Sequence, residues 1–176
     1  MLEVTLRLAR DQRPRIRYPE LQHAVAELGG LDTVAPGDAV RLVREAVLAL
    51  RRRKSMVLDP ADPNTRSAGS FFTNPVLSAA AFADLAQRWK EIPSFPADGA
   101  VKVPAAWLVE HAGFPKGYRG GGGGGAGIST RHALALVNLG GTSADLLALA
   151  EEVRAGVEKQ FGIRLAYEPE VVRSET

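Results

Sequence analysis

The stretch 133-ALALVNLGGTSADLLALAEEVRAGVEKQF-161 contains the two periodicities that decide the fold. Ala133 to Asn138 is a nearly continuous apolar run and predicts a buried strand. After Gly140 and Gly141 the period changes. Leu146, Leu149, Val153 and Val157 recur at the spacing of one helix face, and Thr142 with Asp145 three residues on has the form of a capping box. A buried strand feeding an amphipathic helix implies a sheet with a helix laid over it.

Working outward, FGIRLAYEPEVV (161–172) reads as a strand that returns to the sheet and bends at Pro169. On the other side, residues 117–127 contain six consecutive glycines, Gly120 to Gly125. They lack the offsets of a phosphate-binding fingerprint and predict a flexible loop. Pro104 opens a helix carrying Trp107 and Leu108 that stops at Gly113, VKV (Val101 to Val103) is a short strand, and PSFPADGA (93–100) is a turn. A helix begins at Ser78 with Phe82, Leu85, Ala86 and Trp89 on one face. From about residue 69 the expected order is strand, helix, strand, helix, strand, helix, strand. That is an α+β (or α/β) domain, a small sheet covered by helices.

Nearer the start, Leu2, Val4, Leu6 and Leu8 alternate with Glu3, Thr5 and Arg7, the pattern of a strand with one buried face and no evident partner nearby. Helices are expected from Pro19 to Leu28 and from Pro36 to about Lys54, the second with an apolar stripe of Val40, Val43, Val47 and Leu50. The run Arg51-Arg52-Arg53-Lys54 in its last turn either compensates the helix dipole or meets an anion. Residues 55–66, rich in Pro, Asp and Asn, form a loop.

With 176 residues, 45% apolar and 24% charged, the chain is sized and composed for one globular domain or a domain plus a fragment. A net charge of +2 gives no reason to expect a nucleic-acid partner. The absence of cysteine excludes disulfides, thiolate metal sites and cysteine nucleophiles. His23, His111 and His132 are too scattered for a zinc site, so no metal is expected. The opening residues lack a signal-peptide core and no run is long enough for a membrane span, so the expected location is the cytoplasm.

Chemistry concentrates in SAGSFFTNP (Ser67 to Pro75), where Ser70 stands between Gly69 and two phenylalanines. Glycine permits an unusually close backbone approach, and the serine is either a packed filler or a placed proton donor. A Ser-His-Asp hydrolase fits poorly, because the G-x-S-x-G elbow is missing and no histidine stands as its base. The terminal carboxylates Glu168 and Glu170 are the other candidates. Glu170 in EPEVV is by default an exposed strand glutamate, and on a half-buried strand it would call for a partner or a raised pKa.

AGSFFTNP, KVPAAWLVEHAGFPKGYR, STRHALALVN, the Thr142 helix with its FGI ending and the terminal EPEVV occur in that order. Together they resemble the C-terminal half of the UDP-N-acetylenolpyruvoylglucosamine reductase (MurB) family, and VTLRLARDQRPRIRYPEL resembles the end of that family's flavin domain. The resemblance implies a flavoprotein oxidoreductase of peptidoglycan synthesis that takes electrons from NADPH through FAD. Its substrate is the enolpyruvyl ether of UDP-GlcNAc, reduced to UDP-N-acetylmuramate. It implies Ser70 as proton donor, with Gly69 admitting the substrate and Phe71 and Phe72 excluding water. It implies Glu170, rather than Glu168, as the catalytic glutamate that answers charge developing at the substrate's own carboxylate. Asn74 and Lys54, with Arg51 and Lys102 behind them, are the implied UDP-sugar contacts. Residues 1–30 are then the tail of an FAD-binding domain, 31–66 a helix and linker, and 67–176 the substrate-binding domain. The glycine-rich flavin-binding region is not in this stretch, and the expected partner is that region on a separate chain. The alternative is a UDP-sugar-binding module or an inactive fragment.

Overall fold

The computed structural model describes residues 3–5, 13–120 and 124–172. The chain divides into two compact units, 1–57 and 58–176. Of the strand expected over Leu2 to Leu8, residues 3–5 are irregular and the rest lies outside the described residues.

The first unit is a helix pair. α1 (Pro19–Glu27) and α2 (Pro36–Arg53) both carry proline in the first turn, where its fixed φ suits a helix and its missing N–H costs nothing. Their shared core is small: Ala24, Val25 and Ala46 are buried, with Leu21, Leu42, Val43 and Leu50 packed around them. The buried face of α2 is centred on Ala39 and Ala46, and Val40, expected on the stripe, is exposed. Arg13 ties the preceding segment to the turn between the helices by donating from Nη1 to the Leu31 carbonyl at 2.7 Å.

The second unit contains β1 (Ser67–Ser70), β2 (Val76–Leu77), α3 (Ala79–Arg88), β3 (Phe95–Ala97), β4 (Ala100–Lys102), α4 (Ala105–His111), β5 (Ala126–Ile128), β6 (Ala135–Asn138) and α5 (Ser143–Phe161). They form two three-stranded antiparallel sheets, ordered β1-β6-β5 and β2-β4-β3. The α+β class is as the sequence predicts, with two small sheets in place of one.

α5 is the element the sequence describes best. Thr142 accepts from the Asp145 amide, Asp145 accepts from the Thr142 amide at 2.7 Å, and Gly162 closes the helix in a left-handed conformation. Its face of Leu149, Val153, Val157 and Phe161 is buried against Phe72, Leu108, Leu136 and Leu165 in one core. Each such side chain contributes about 1.5–3 kcal/mol of burial.

Three expectations are corrected. The segment 93–100 is a hairpin, not just a turn: Asp98 and Gly99 both have positive φ, as a two-residue type I′ turn requires, and Phe95, Pro96 and Ala97 pair with β4. Within the glycine-rich segment, Gly125 is packed, because its carbonyl accepts from the Leu139 and Gly141 amides and a Cβ on it would meet the Gly141 backbone at 2.8 Å. Gly121 to Gly123 lie outside the described residues. The C-terminal segment forms no continuous strand. Phe161, Ile163 and Leu165 are buried at alternate positions, yet the only pairing among the described residues is a single bridge between Phe72 and Tyr167. The Phe71 amide, which would complete the pair with Glu168, donates to the Leu134 carbonyl instead.

Candidate functional site

Ser70 closes β1 just past a bulge. Ser67 pairs with Val137 and Ser70 with Ala135, so β1 spends three steps where β6 spends two. Gly69 has φ +85°, and a Cβ there would meet nothing within 4 Å. Glycine is therefore required by the backbone conformation of the bulge, not by any crowding from the chain. The bulge re-aims Ser70, which is half-buried and whose hydroxyl has no hydrogen-bond partner among the described residues. The next two residues are not a solvent-facing wall. Phe71 and Phe72 are 3% and 1% exposed and anchor the strand end in the core.

The C-terminal tail lies against this anchor. The Thr73 amide donates to the Ala166 carbonyl and the Glu168 amide to the Phe71 carbonyl, both at 3.0 Å. Continued antiparallel, this register sets Pro169 level with Ser70 and Glu170 level with Gly69. The structure thus holds the Glu168 backbone beside Phe71, one residue on from Ser70, and among the described residues no pairing reaches Glu170. Glu170 is exposed and not on a half-buried strand, because pairing ends before it.

Asn74 has a structural task. Its Oδ1 accepts from the Ala105 amide at 2.8 Å, which caps α4, since Pro104 at the N-cap has no polar side chain. Its Nδ2 has no partner among the described residues. Lys102 stands in the central strand of the second sheet, in register with Val76 on one side and Phe95 on the other. Cross-strand neighbours share a face, and Val76 and Phe95 are 55% and 58% exposed, so the ammonium is flanked by an uncovered apolar row. Arg51 and Lys54 belong to the first unit. Lys54 Nζ is paired with Glu20 at 3.0 Å, and Arg51 donates to the Met56 carbonyl at 3.3 Å. A cavity of about 70 Å³ between the glycine-rich segment and α5 is lined by Gly120, Gly125, Asp145, Leu149 and Glu152, and none of the candidate residues borders it. Ser70 is half-buried, and Arg51, Lys54, Asn74, Lys102, Glu168 and Glu170 are exposed. Among the described residues no cluster of three or more Asp, Glu or His could hold a metal, and no helix is long and apolar enough to cross a membrane.

The family model for the C-terminal domain of UDP-N-acetylenolpyruvoylglucosamine reductase matches residues 59–172, nearly all of the second unit. The chain belongs to the UDP-N-acetylenolpyruvoylglucosamine reductase family. Relatives bearing that name include one from Thermobifida fusca, 56% identical over 97% of this chain and 48% of its own length. Another, from Saccharopolyspora erythraea, is 52% identical over 89% of this chain and 44% of its own length. A third, from Mycobacterium marinum, is 47% identical over 98% and 46%. The chain spans about half the length of these reductase relatives.

Within this reductase domain, sequence reasoning missed three polar arrangements. Asn64, in the segment read as a Pro/Asp/Asn-rich loop, accepts at Oδ1 from the Ser129 hydroxyl (3.1 Å) and the Thr130 amide (2.9 Å), which pins the loop before β1 to the end of β5. Phe95 is placed beside Lys102 by a hairpin that Asp98-Gly99 signals. Tyr167 is gripped from both sides. Its ring lies 5.3 Å from that of Phe71, the Arg154 guanidinium covers it at 4.5 Å, and its hydroxyl donates to Glu151 at 3.1 Å. Partial desolvation would raise the Glu151 carboxyl, but the Tyr167 hydrogen bond and the Arg154 and Arg164 charges outweigh it and hold it below the usual range.

Proposed function

We propose that this chain supplies the substrate-binding, proton-donating half of a reductase that converts the enolpyruvyl ether of UDP-N-acetylglucosamine into UDP-N-acetylmuramate. The observation that supports the reading is the pairing of segment 71–73 with 166–168, which holds the backbone of the tail beside the residues that follow Ser70, whose hydroxyl has no partner among the described residues. Reduction of the substrate's C=C adds a hydride to one carbon and a proton to its neighbour. The Ser70 hydroxyl gives that proton, since so weak an acid is competent only toward a carbanion-like partner, and solvent at the half-buried residue reprotonates the alkoxide that is left. Glu170 answers the charge that develops at the substrate's carboxylate.

The UDP moiety is held by groups that have donors to spare. Asn74 Nδ2 is left over after Oδ1 caps α4, and Lys102 offers a charge set between Val76 and Phe95.

FAD and NADPH are the reductants this reading requires. The described residues do not fit a flavin. In the strand–Gly-Gly–helix turn from β6 into α5, the Gly141 amide donates to Gly125 and the Thr142 amide to Asp145, so no cradle is left for a phosphate. No step through the flavin is assigned to these residues, and the partner is a flavin-binding region outside this sequence.

The test uses the chain completed by such a region in rapid-mixing experiments. Ser70→Ala should leave flavin reduction by NADPH unchanged and slow reoxidation by the enolpyruvyl substrate about 10²-fold or more. Equal slowing of both half-reactions refutes the proton-donor role.

A further inference from the structure

Few backbone hydrogen bonds hold the tail that carries Glu168 and Glu170. Two amides, those of Thr73 and Glu168, join it to the serine segment, and the Phe71 amide, level with Glu168, is given to the Leu134 carbonyl instead. Its placement therefore depends on side chains, and these converge on one carboxylate. Glu151, on the outer face of α5, accepts from Arg154 Nη1 at 2.9 Å, from Arg164 Nη2 at 2.8 Å and from the Tyr167 hydroxyl at 3.1 Å. Arg164 uses its other arm on Glu158 at 2.7 Å, so its guanidinium bridges two turns of the helix. Arg154 lies over the Tyr167 ring, and Phe71 and Phe72 pack against the same ring at 5.3 and 5.9 Å.

Isolated surface ion pairs are worth little. This arrangement differs in two respects. One carboxylate fixes three donors, two of them on the tail side of α5, so the groups support one another's geometry. Arg154 Nε is buried without a hydrogen-bond partner among the described residues, which means that stacking on Tyr167 and pairing with Glu151 decide where the guanidinium sits, at the expense of one donor.

We propose that Glu151, Arg154 and Arg164 are positioning residues, which clamp Tyr167 and so set the register of the tail against the Ser70 segment. The functional weight of the clamp rests on the reading of Ser70 and the tail as one site, but its existence can be tested without substrate.

The experiment is residue-resolved amide hydrogen exchange on the 176-residue chain. Glu151→Gln and Tyr167→Phe should each speed exchange at the Thr73 and Glu168 amides about tenfold, the size of one hydrogen bond to a charged group. The amides of Asn138 and Ile128, bonded to Arg66 and Tyr118, should keep their wild-type rates. Arg164→Lys should retain most of the protection and Arg164→Met lose it. Unchanged rates at Thr73 and Glu168 in Tyr167→Phe, which deletes one oxygen, overturn the proposal. So does equal acceleration at all four amides, which marks general destabilisation. Titrating the wild-type sample with UDP-N-acetylglucosamine and following the Asn74 and Lys102 resonances tests the ligand reading separately, so either can fail alone.

Discussion

Asn74 has one role in the fold and one proposed for the UDP-sugar, and a pair of substitutions can separate them. Its Oδ1 satisfies the amide of Ala105, a residue with 0% exposure at the first position of α4, and Pro104 has nothing to put in its place. Asn74→Ala leaves that buried N–H unmet. The cost of a lost cap is about 0.5–2 kcal/mol and of an orphaned buried donor about 1–3 kcal/mol, so the expected loss is about 1.5 kcal/mol. For a unit of this size that lowers the midpoint of thermal unfolding by about 6 °C. Asn74→Asp keeps an oxygen against the Ala105 amide and places a negative charge at a helix start, so its midpoint should stay within about 2 °C of wild type at neutral pH. The same change deletes the Nδ2 donor and sets a charge opposite a pyrophosphate. Calorimetric titration with UDP-N-acetylglucosamine should then show affinity reduced at least about tenfold. If Asn74→Asp melts as low as Asn74→Ala, the capping argument is wrong. If it binds as tightly as wild type, Asn74 is not a ligand.

Gly156 sits inside α5, where alanine would ordinarily gain about 1 kcal/mol. A Cβ there would lie 2.6 Å from Phe114 Cζ and closer still to Cε2, so Gly156→Ala should destabilise by about 1 kcal/mol once the overpacking cost is counted, and a Phe114→Leu background should reverse the sign in thermal unfolding. The capping box predicts a pH dependence: the Thr142 amide, followed by the Thr142 hydroxyl, holds the Asp145 carboxyl below its ordinary value. A depressed carboxyl contributes stability that is complete above the unfolded-state pKa and is lost as pH falls through the lower folded value. Unfolding measured from neutral to acid pH should therefore fall less steeply in Asp145→Asn than in wild type, and parallel curves would refute the linkage.

What the sequence disclosed divides by the range of the interaction. α5 was legible because its stripe, its Thr142–Asp145 box and its terminal Gly162 all act within one element. β5 was not, because Ala126–Ile128 follows a glycine run whose last member, Gly125, packs closely against Gly141, a partner that only the fold supplies. The tail is the instructive intermediate. Its alternating burial of Phe161, Ile163 and Leu165 agrees with the strand read from the sequence, but inside-outside alternation says nothing about which backbone groups are paired. The same limit governs the site. Ser70 stood out locally, yet its neighbours come from the far end of the second unit. The groups that hold them there are Glu151, Arg154 and Arg164, charges that a single sequence would assign to a solvated helix face and a loop. A carboxylate shared by three donors has no periodicity to detect, so a device that orders the tail and a featureless polar surface look identical until the chain is folded.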